Sequence, residues 1–183
     1  ACRYLERRDE ARAFLDRLHA AMPEYGRAWQ EAGHLARAQG DRAAAIAAFG
    51  RATRFNPALE ASWRALAELE QAAGRPTAAE AARAQAERVA RLPRELVAVM
   101  HHLHEGRLLR AEEICRHFLR ANPRNVEGMR LLAQIGIKLG ILDDAEFLLD
   151  SAKTFEPDNI QVRLDLIDAL RRRQKFEQAR EEA

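Results

Sequence analysis

The chain has 183 residues, of which 48% are hydrophobic and 32% charged, and its net charge at neutral pH is +2. This balance is typical of a folded protein and excludes a disordered chain, and so small a positive excess does not by itself predict binding to nucleic acid or to a membrane. The scarcity of glycine and proline, with Ala, Leu, Arg and Glu dominant, favours an all-helical fold.

The cysteines and the hydropathy pattern indicate the cellular compartment that we expect for this protein. Cys2 and Cys115 lie far apart and form no CxxC pair, which indicates a reducing compartment, and we expect a cytoplasmic location. No apolar run approaches the roughly 20 residues of a membrane-spanning helix. No signal peptide is visible. The excess of arginine over lysine and the abundance of alanine indicate a GC-rich, bacterial source.

The sequence repeats with a period close to 34 residues, which predicts a repeat architecture. Trp29 and Trp63 are 34 residues apart, and so are Pro23 and Pro57. Small residues recur in the same register, the glycines being Gly40, Gly74, Gly106 and Gly140 and the alanines Ala45, Ala79, Ala111, Ala145 and Ala179. We therefore expect a stack of similar helical hairpins.

Each recurring residue type has a physical role in such a hairpin. The glycine ends the first helix in a left-handed conformation, and the alanine lets the second helix cross the first closely. The proline ends the second helix, as at Asn56-Pro57 and Asn122-Pro123. Large residues are expected to fill the space around the crossing, namely Trp29, Trp63, Phe49, Cys115 and Leu149.

In chain order, this register divides the sequence into six segments. Residues 1–25 end one repeat, four repeats cover 26–59, 60–91, 92–125 and 126–159, and residues 160–183 begin another. The repeat over 60–91 lacks the closing proline, so its second helix, over 77–91, should be long and the joint near Leu92-Pro93 irregular. No flexible linker is indicated, and we expect one continuous array that extends beyond both ends of the chain.

The segment 28–57 resembles a tetratricopeptide repeat, because the family's characteristic positions hold Trp29, Gly33, Gly40, Ala45, Phe49, Ala52 and Pro57. The other segments follow the same frame. The resemblance implies an all-α fold, an α-solenoid of antiparallel hairpins wound into a right-handed superhelix. It also implies a scaffold that binds a peptide or protein segment in a concave groove, without catalysis and without a cofactor.

Several residue clusters suggest chemistry but are better explained structurally. His101, His102 and His104 lie together, yet a zinc site needs three or four convergent ligands, so no metal is predicted. Cys115 occupies a core position of the repeat and is not expected to be a nucleophile.

The charged runs are also explained structurally, and the sequence motifs indicate no phosphate-binding site. Glu112-Glu113 and Asp143-Asp144 are expected to complement the dipoles at the starts of second helices. The run Arg171-Arg172-Arg173 is expected to be solvated at a helix end, since no aromatic stacking platform accompanies it to bind nucleic acid. No phosphate-binding motif occurs.

The resemblance places the partner-binding positions on the first helices. The candidates are Arg27, Gln30, His34, Arg37, Arg64, Glu68, Leu96, Met100, Leu103, His104, Arg130, Gln134, Lys138, Leu164 and Arg171. Basic groups outnumber acidic ones among them, which favours an acidic partner. The positions at which some family members clamp a carboxylate hold Gln30, His34 and Ala65, so that mode is not expected.

The apolar residues Leu96, Met100 and Leu103 allow two interpretations. Their spacing is that of an apolar anchor site for a partner helix. If the irregular joint shifts the helix by one residue, the same side chains become core positions.

Two further hypotheses concern the whole protein. The segment 127–179 is similar to arrays that precede a sulfotransferase domain in bacterial proteins, which would imply a domain beyond Ala183 that uses 3′-phosphoadenylyl sulfate. Self-association through the ends of the array is the other.

Overall fold

The computed structural model describes residues 8–183, and all regular secondary structure in this range is α-helical. Two compact units divide at Leu92 and Pro93. Unit 1 holds α1 (Arg8–Ala21), α2 (Gly26–Ala38), α3 (Arg42–Phe55), α4 (Glu60–Ala72) and α5 (Pro76–Arg91). Unit 2 holds α6 (Arg94–His104), α7 (Leu108–Ala121), α8 (Val126–Leu139), α9 (Leu142–Phe155), α10 (Ile160–Arg172) and α11 (Phe176–Glu181).

Successive helices pack in pairs within each unit, with α2 on α3 and α4 on α5 in unit 1, and α6 on α7 and α8 on α9 in unit 2. This confirms the predicted all-α fold of α-solenoid type. The continuous array over both units stays a prediction. Cys2 and the start of the first partial repeat lie outside the described residues.

Glycines form the turn inside four of the hairpins, as predicted. The backbone angle φ is +76° at Gly40, +72° at Gly74, +74° at Gly106 and +79° at Gly140, all in the left-handed region. Because glycine has no Cβ, it enters this region without the steric cost that other residues meet. In the fifth turn of the register the same conformation is adopted by Gln174, with φ of +61°.

Replacement of Gln174 by glycine should raise the free energy of unfolding by up to about 1 kcal/mol, because it removes the cost of holding a side chain in the left-handed region. Chemical denaturation followed by circular dichroism measures the change. Gln174→Ala is the matched control and should leave stability nearly unchanged, since alanine keeps the Cβ. Equal stability of the glycine and alanine variants would contradict this explanation.

The recurring alanines lie at the helix crossings, as predicted. Ala45, Ala79, Ala111 and Ala145 have no exposed surface, and Ala179 is also buried. Phe49, Cys115 and Leu149 fill the core beside these crossings.

The two tryptophans serve a different role from the expected core packing. Both are only half-buried. The indole Nε1 of Trp29 donates a hydrogen bond to the carbonyl oxygen of Pro23 at 2.7 Å, and that of Trp63 donates to Pro57 at 2.9 Å. Each indole therefore fixes the turn that precedes its own helix.

The ends of the second helices follow the proline pattern. α3 ends at Phe55 and α7 at Ala121, just before Asn56-Pro57 and Asn122-Pro123. In contrast, α5 has no closing proline and extends over 16 residues, where α3 has 14. The predicted long helix is confirmed.

Candidate functional site

The predicted partner-binding residues lie on the first helices of the hairpins, which are α2 and α4 in unit 1 and α6, α8 and α10 in unit 2. Helices α6 and α8 are in contact with each other, as are α8 and α10, so within unit 2 these first helices form a shared surface. In unit 1, Arg37 of α2 reaches Glu68 of α4 at 3.4 Å.

The apolar anchor predicted on α6 is wrong for two of its three residues. Leu96 has no exposed surface and Leu103 is 3% exposed, and both lie in the core of unit 2 with Val99 and Cys115. Met100 packs half-buried against the same core. The core interpretation is therefore correct, because α6 turns its apolar face toward α7 and α8 to exclude water.

Ion pairs neutralise several of the basic candidates. In unit 1 Arg64 pairs with Glu60 at 2.5 Å, in addition to the pair between Arg37 and Glu68. These side chains remain largely exposed, where such pairs are weak and solvent-screened. Each of these arginines nevertheless has a carboxylate beside it, so the basic surplus among the candidates overstates the net positive charge at this surface.

In unit 2 the pairing of Arg130 is stronger. Its guanidinium contacts Glu127 at 2.9 Å and Asp165 at 2.7 Å, and Gln134 donates to the same Asp165 oxygen at 2.9 Å. Burial opposes the charge on Arg130, but the hydrogen bonds and charges of Glu127 and Asp165 outweigh this effect and raise the pKa of Arg130. Arg130 and Gln134 therefore join α8 to α10 and are not free for a partner.

Four candidates of unit 2 stay open to solvent, namely His104, Lys138, Leu164 and Arg171. No salt bridge of Lys138 or Arg171 occurs among residues 8–183. His104 lies close enough to Lys138 for their charges to interact: partial desolvation, then Lys138 and His101, lower the pKa of His104.

A groove of about 510 Å³ lies between α1 and α2 of unit 1. Arg27 and Gln30, both predicted from the sequence, line it. Its apolar wall comes from Phe14, Leu18 and Tyr25, and Phe14 is 57% exposed. Phe14 was not predicted from the sequence, because the repeat pattern has no position for an exposed phenylalanine on α1. His34 lies elsewhere on α2, half-buried with its ring edge against Phe49.

His19 is a second residue that the sequence did not indicate. Its ring stacks on Trp29 at a centroid distance of 3.8 Å, and the guanidinium of Arg51 lies 4.4 Å from the centroid of the same indole. Burial lowers the pKa of His19. These side chains border a recess of about 310 Å³, but their ring faces are already in contact with one another. Arg12 also donates a hydrogen bond to Gln39 across the recess.

Cys115, which the sequence raised as a possible nucleophile, has a structural role. The thiol of Cys115 is buried and donates to the carbonyl oxygen of Gly128 at 3.2 Å, and burial raises its pKa to about 12. A thiol held in this form is a poor nucleophile. Among residues 8–183, no three His, Cys, Asp or Glu side chains converge in a geometry able to hold a metal ion.

Two expectations about charged runs need correction. Glu112 and Glu113 lie in the second turn of α7, not at its start, and pair with Arg116 and Arg110. Arg173 is not simply solvated, since it pairs with Glu146 of α9 at 2.5 Å. The predicted placement of Asp143-Asp144 in the first turn of α9 is confirmed.

The described part of the chain contains no helix with both the length and the apolar character needed to cross a bilayer.

Comparisons with known proteins find one matching family and several similar solved structures. Residues 26–59 match the tetratricopeptide repeat family. The chain is similar to the MamA protein, with 15% identity, coverage of 88% of this chain and 89% of that chain, and a TM-score of 0.46. It is also similar to YrrB, described as a TPR protein with an unusual peptide-binding site, with 12% identity, 92% and 88% coverage, and a TM-score of 0.44.

A third similar structure is the human IFIT1 dimer with PPP-AAAA, with 17% identity, coverage of 96% of this chain and 45% of that chain, and a TM-score of 0.47. This chain thus spans less than half of the IFIT1 chain. No curated protein matches the sequence.

Proposed function

We propose that this chain is a protein-interaction scaffold that holds a peptide or protein segment against the first helices of its hairpins and catalyses no reaction. The groove between α1 and α2 supports this proposal most directly. Its volume lies within the range of roughly 300–1,000 Å³ that is usual for ligand-binding clefts. Phe14, Leu18 and Tyr25 offer an apolar wall, and Arg27 and Gln30 offer polar groups at its edge.

The chemistry of this groove suits a segment with at least one large apolar side chain. Burying that side chain against Phe14 would remove apolar surface from water, which is the main favourable term in association. Arg27 would contact a carboxylate of the segment and fix its orientation. The partner we propose is therefore a peptide or protein segment with an apolar anchor and acidic groups, met in the bacterial cytoplasm.

Peptides selected against the whole chain by display provide the test. Substitution Phe14→Ala should weaken their binding by at least about tenfold, since truncation of an aromatic anchor in an interface usually has effects of this size. Fluorescence anisotropy of a labelled peptide measures the dissociation constant.

Phe147→Ala is the matched control. Phe147 lies on α9 of unit 2 and is 71% exposed, so this variant loses the same atoms from a surface outside the groove. It should bind the selected peptides as the unchanged chain does. Selected peptides that bind both variants equally well would overturn the assignment of this groove.

The alternative, that these repeats precede a sulfotransferase domain, rests on the sequence resemblance of residues 127–179 and stays a prediction. The reading frame that encodes the chain tests it. A domain beyond Ala183 with a strand, a glycine-rich loop and a helix for the phosphosulfate would support the alternative. A stop codon shortly after Ala183 would favour the free-standing scaffold.

A further inference from the structure

A second groove, of about 580 Å³, lies on unit 2 where α7 and α9 flank α8. We call it the α7–α9 groove. Apolar side chains contribute to its lining from all three helices, namely Leu119 of α7, Met129 and Leu132 of α8, and Leu148 of α9. It involves none of the residues predicted for partner binding on the first helices.

The apolar lining continues along α9 beyond the groove. Phe155 follows Leu148 by seven residues, so both lie on one face of the helix, about 10 Å apart along its axis. Phe155 is 44% exposed. The guanidinium of Arg124 lies 5.8 Å from the centroid of its ring. Phe155 and Arg124 therefore lie together beyond the groove, whose own lining also includes the carboxylate of Glu113, paired with Arg110 at 2.5 Å.

Two of the cations at this surface have no carboxylate partner in the described part of the chain. Arg120, which lines the groove, donates to Nδ1 of His117 at 3.3 Å, an imidazole rather than a carboxylate. Arg124 has an aromatic partner. Neither arginine forms a salt bridge with any residue in the range 8–183. By contrast, the groove's other arginine, Arg116, is paired with Glu112 at 2.8 Å.

We propose that the α7–α9 groove is a second docking surface, which takes an acidic protein segment with large apolar side chains. The apolar residues of the segment would occupy the space over Met129 and Leu148, and its carboxylates would pair with Arg120 and Arg124. A carboxylate is the complementary group for a guanidinium without an acidic partner, and Arg offers two parallel donors to it. Binding weakens as salt is added, since these cations are exposed to solvent.

The methionines provide the readout, because the chain has only three of them. Met129 lines the groove, whereas Met100 packs on the α6 side of the unit 2 core and Met22 follows α1 in unit 1. The whole chain is labelled with ¹³C at the methionine methyl groups, and a synthetic peptide with leucines and glutamates at helical spacing is titrated into it. The Met129 resonance should shift, and those of Met22 and Met100 should stay in place.

Charge reversal and peptide redesign test the two parts of the proposal separately. Arg120→Glu should raise the dissociation constant at least about tenfold. The control is Arg180→Glu, an equal change of charge at a side chain on α11 of the same unit that is 83% exposed and outside the groove, which should leave the constant unchanged. A peptide with serine in place of each leucine should also bind at least about tenfold more weakly. Circular dichroism verifies that both variants keep their helix content.

Several results would overturn the proposal. The first is an unmoved Met129 resonance at saturating peptide. Equal binding of the leucine and serine peptides would reduce the surface to a nonspecific basic patch. A Met129 shift caused by anionic phosphatidylserine vesicles but not by the peptide would identify a lipid surface as the occupant. A shift on dilution of the protein alone would identify a second copy of the chain.

Discussion

Replacement of Phe49 by alanine should lower the free energy of unfolding of unit 1 by about 3–5 kcal/mol, the usual range for a fully buried phenylalanine. Phe49 has no exposed surface and lies with Ala45 and Ala65 in one core cluster. The change would leave a cavity under Gly33, because a Cβ added at Gly33 would come within 2.9 Å of the Phe49 ring. Chemical denaturation followed by tryptophan fluorescence reports on this unit, which holds both tryptophans.

The matched control is again Phe147→Ala. The same substitution at a side chain that is 71% exposed should change stability by less than about 0.5 kcal/mol, measured by circular dichroism. A loss of similar size in both variants would show that burial at Phe49 does not set the stability of this hairpin. Gly33→Ala is a second variant at the same contact and should also destabilise, because the ring has to shift away from the new methyl group.

The features predicted correctly from the sequence are those fixed within a single hairpin. A left-handed turn favours glycine and a close helix crossing favours alanine, so Gly40 and Ala45 reveal their structural roles through spacing alone. The same reasoning placed Cys115 in the core, because it occupies the repeat position that Phe49 holds two hairpins earlier. Gln174 shows the limit of this approach, since its left-handed turn carries no glycine to indicate it.

The candidate site was harder to predict because it depends on contacts between hairpins. Leu96 and Leu103 have the spacing of an anchor site and of a core face alike, and only the packing of α6 on α7 and α8 distinguishes the two. Arg130 was expected to face a partner, but its carboxylate partner Asp165 lies 35 residues further along the chain. Pairing over such a distance is not visible in a local sequence pattern.

The two grooves were missed for a related reason. Each groove is a space between neighbouring helices. The repeat positions of the residues that line it do not indicate that their side chains are open to solvent. Phe14 and Tyr25 line one groove from α1 and from the start of α2, and Leu119 and Leu148 line the other from α7 and α9. Both pairs are apolar, and a sequence pattern assigns apolar helical residues to the core unless the neighbouring helices are known.

The network around Asp165 supplies the second large effect that we expect. Asp165→Asn should lower the free energy of unfolding by about 1.5–3 kcal/mol, because hydrogen bonds to charged groups contribute in this range and removal of the charge leaves Arg130 without one of its counterions. The Asp165 carboxylate accepts from Arg130 at 2.7 Å, from Gln134 at 2.9 Å and from Gln161 at 3.2 Å. Denaturation followed by circular dichroism measures the loss.

Asp168→Asn is the control for this prediction, on the same helix and with an arginine partner of its own. Asp168 pairs with Arg172 at 2.9 Å, but the side chains of both residues are about half exposed. Water screens that pair, so its loss should change stability by at most about 0.5 kcal/mol. If the two variants lose equal stability, then the contact with Asp165 contributes no more than a solvent-screened pair, and the assignment of Arg130 as a link between α8 and α10 is wrong.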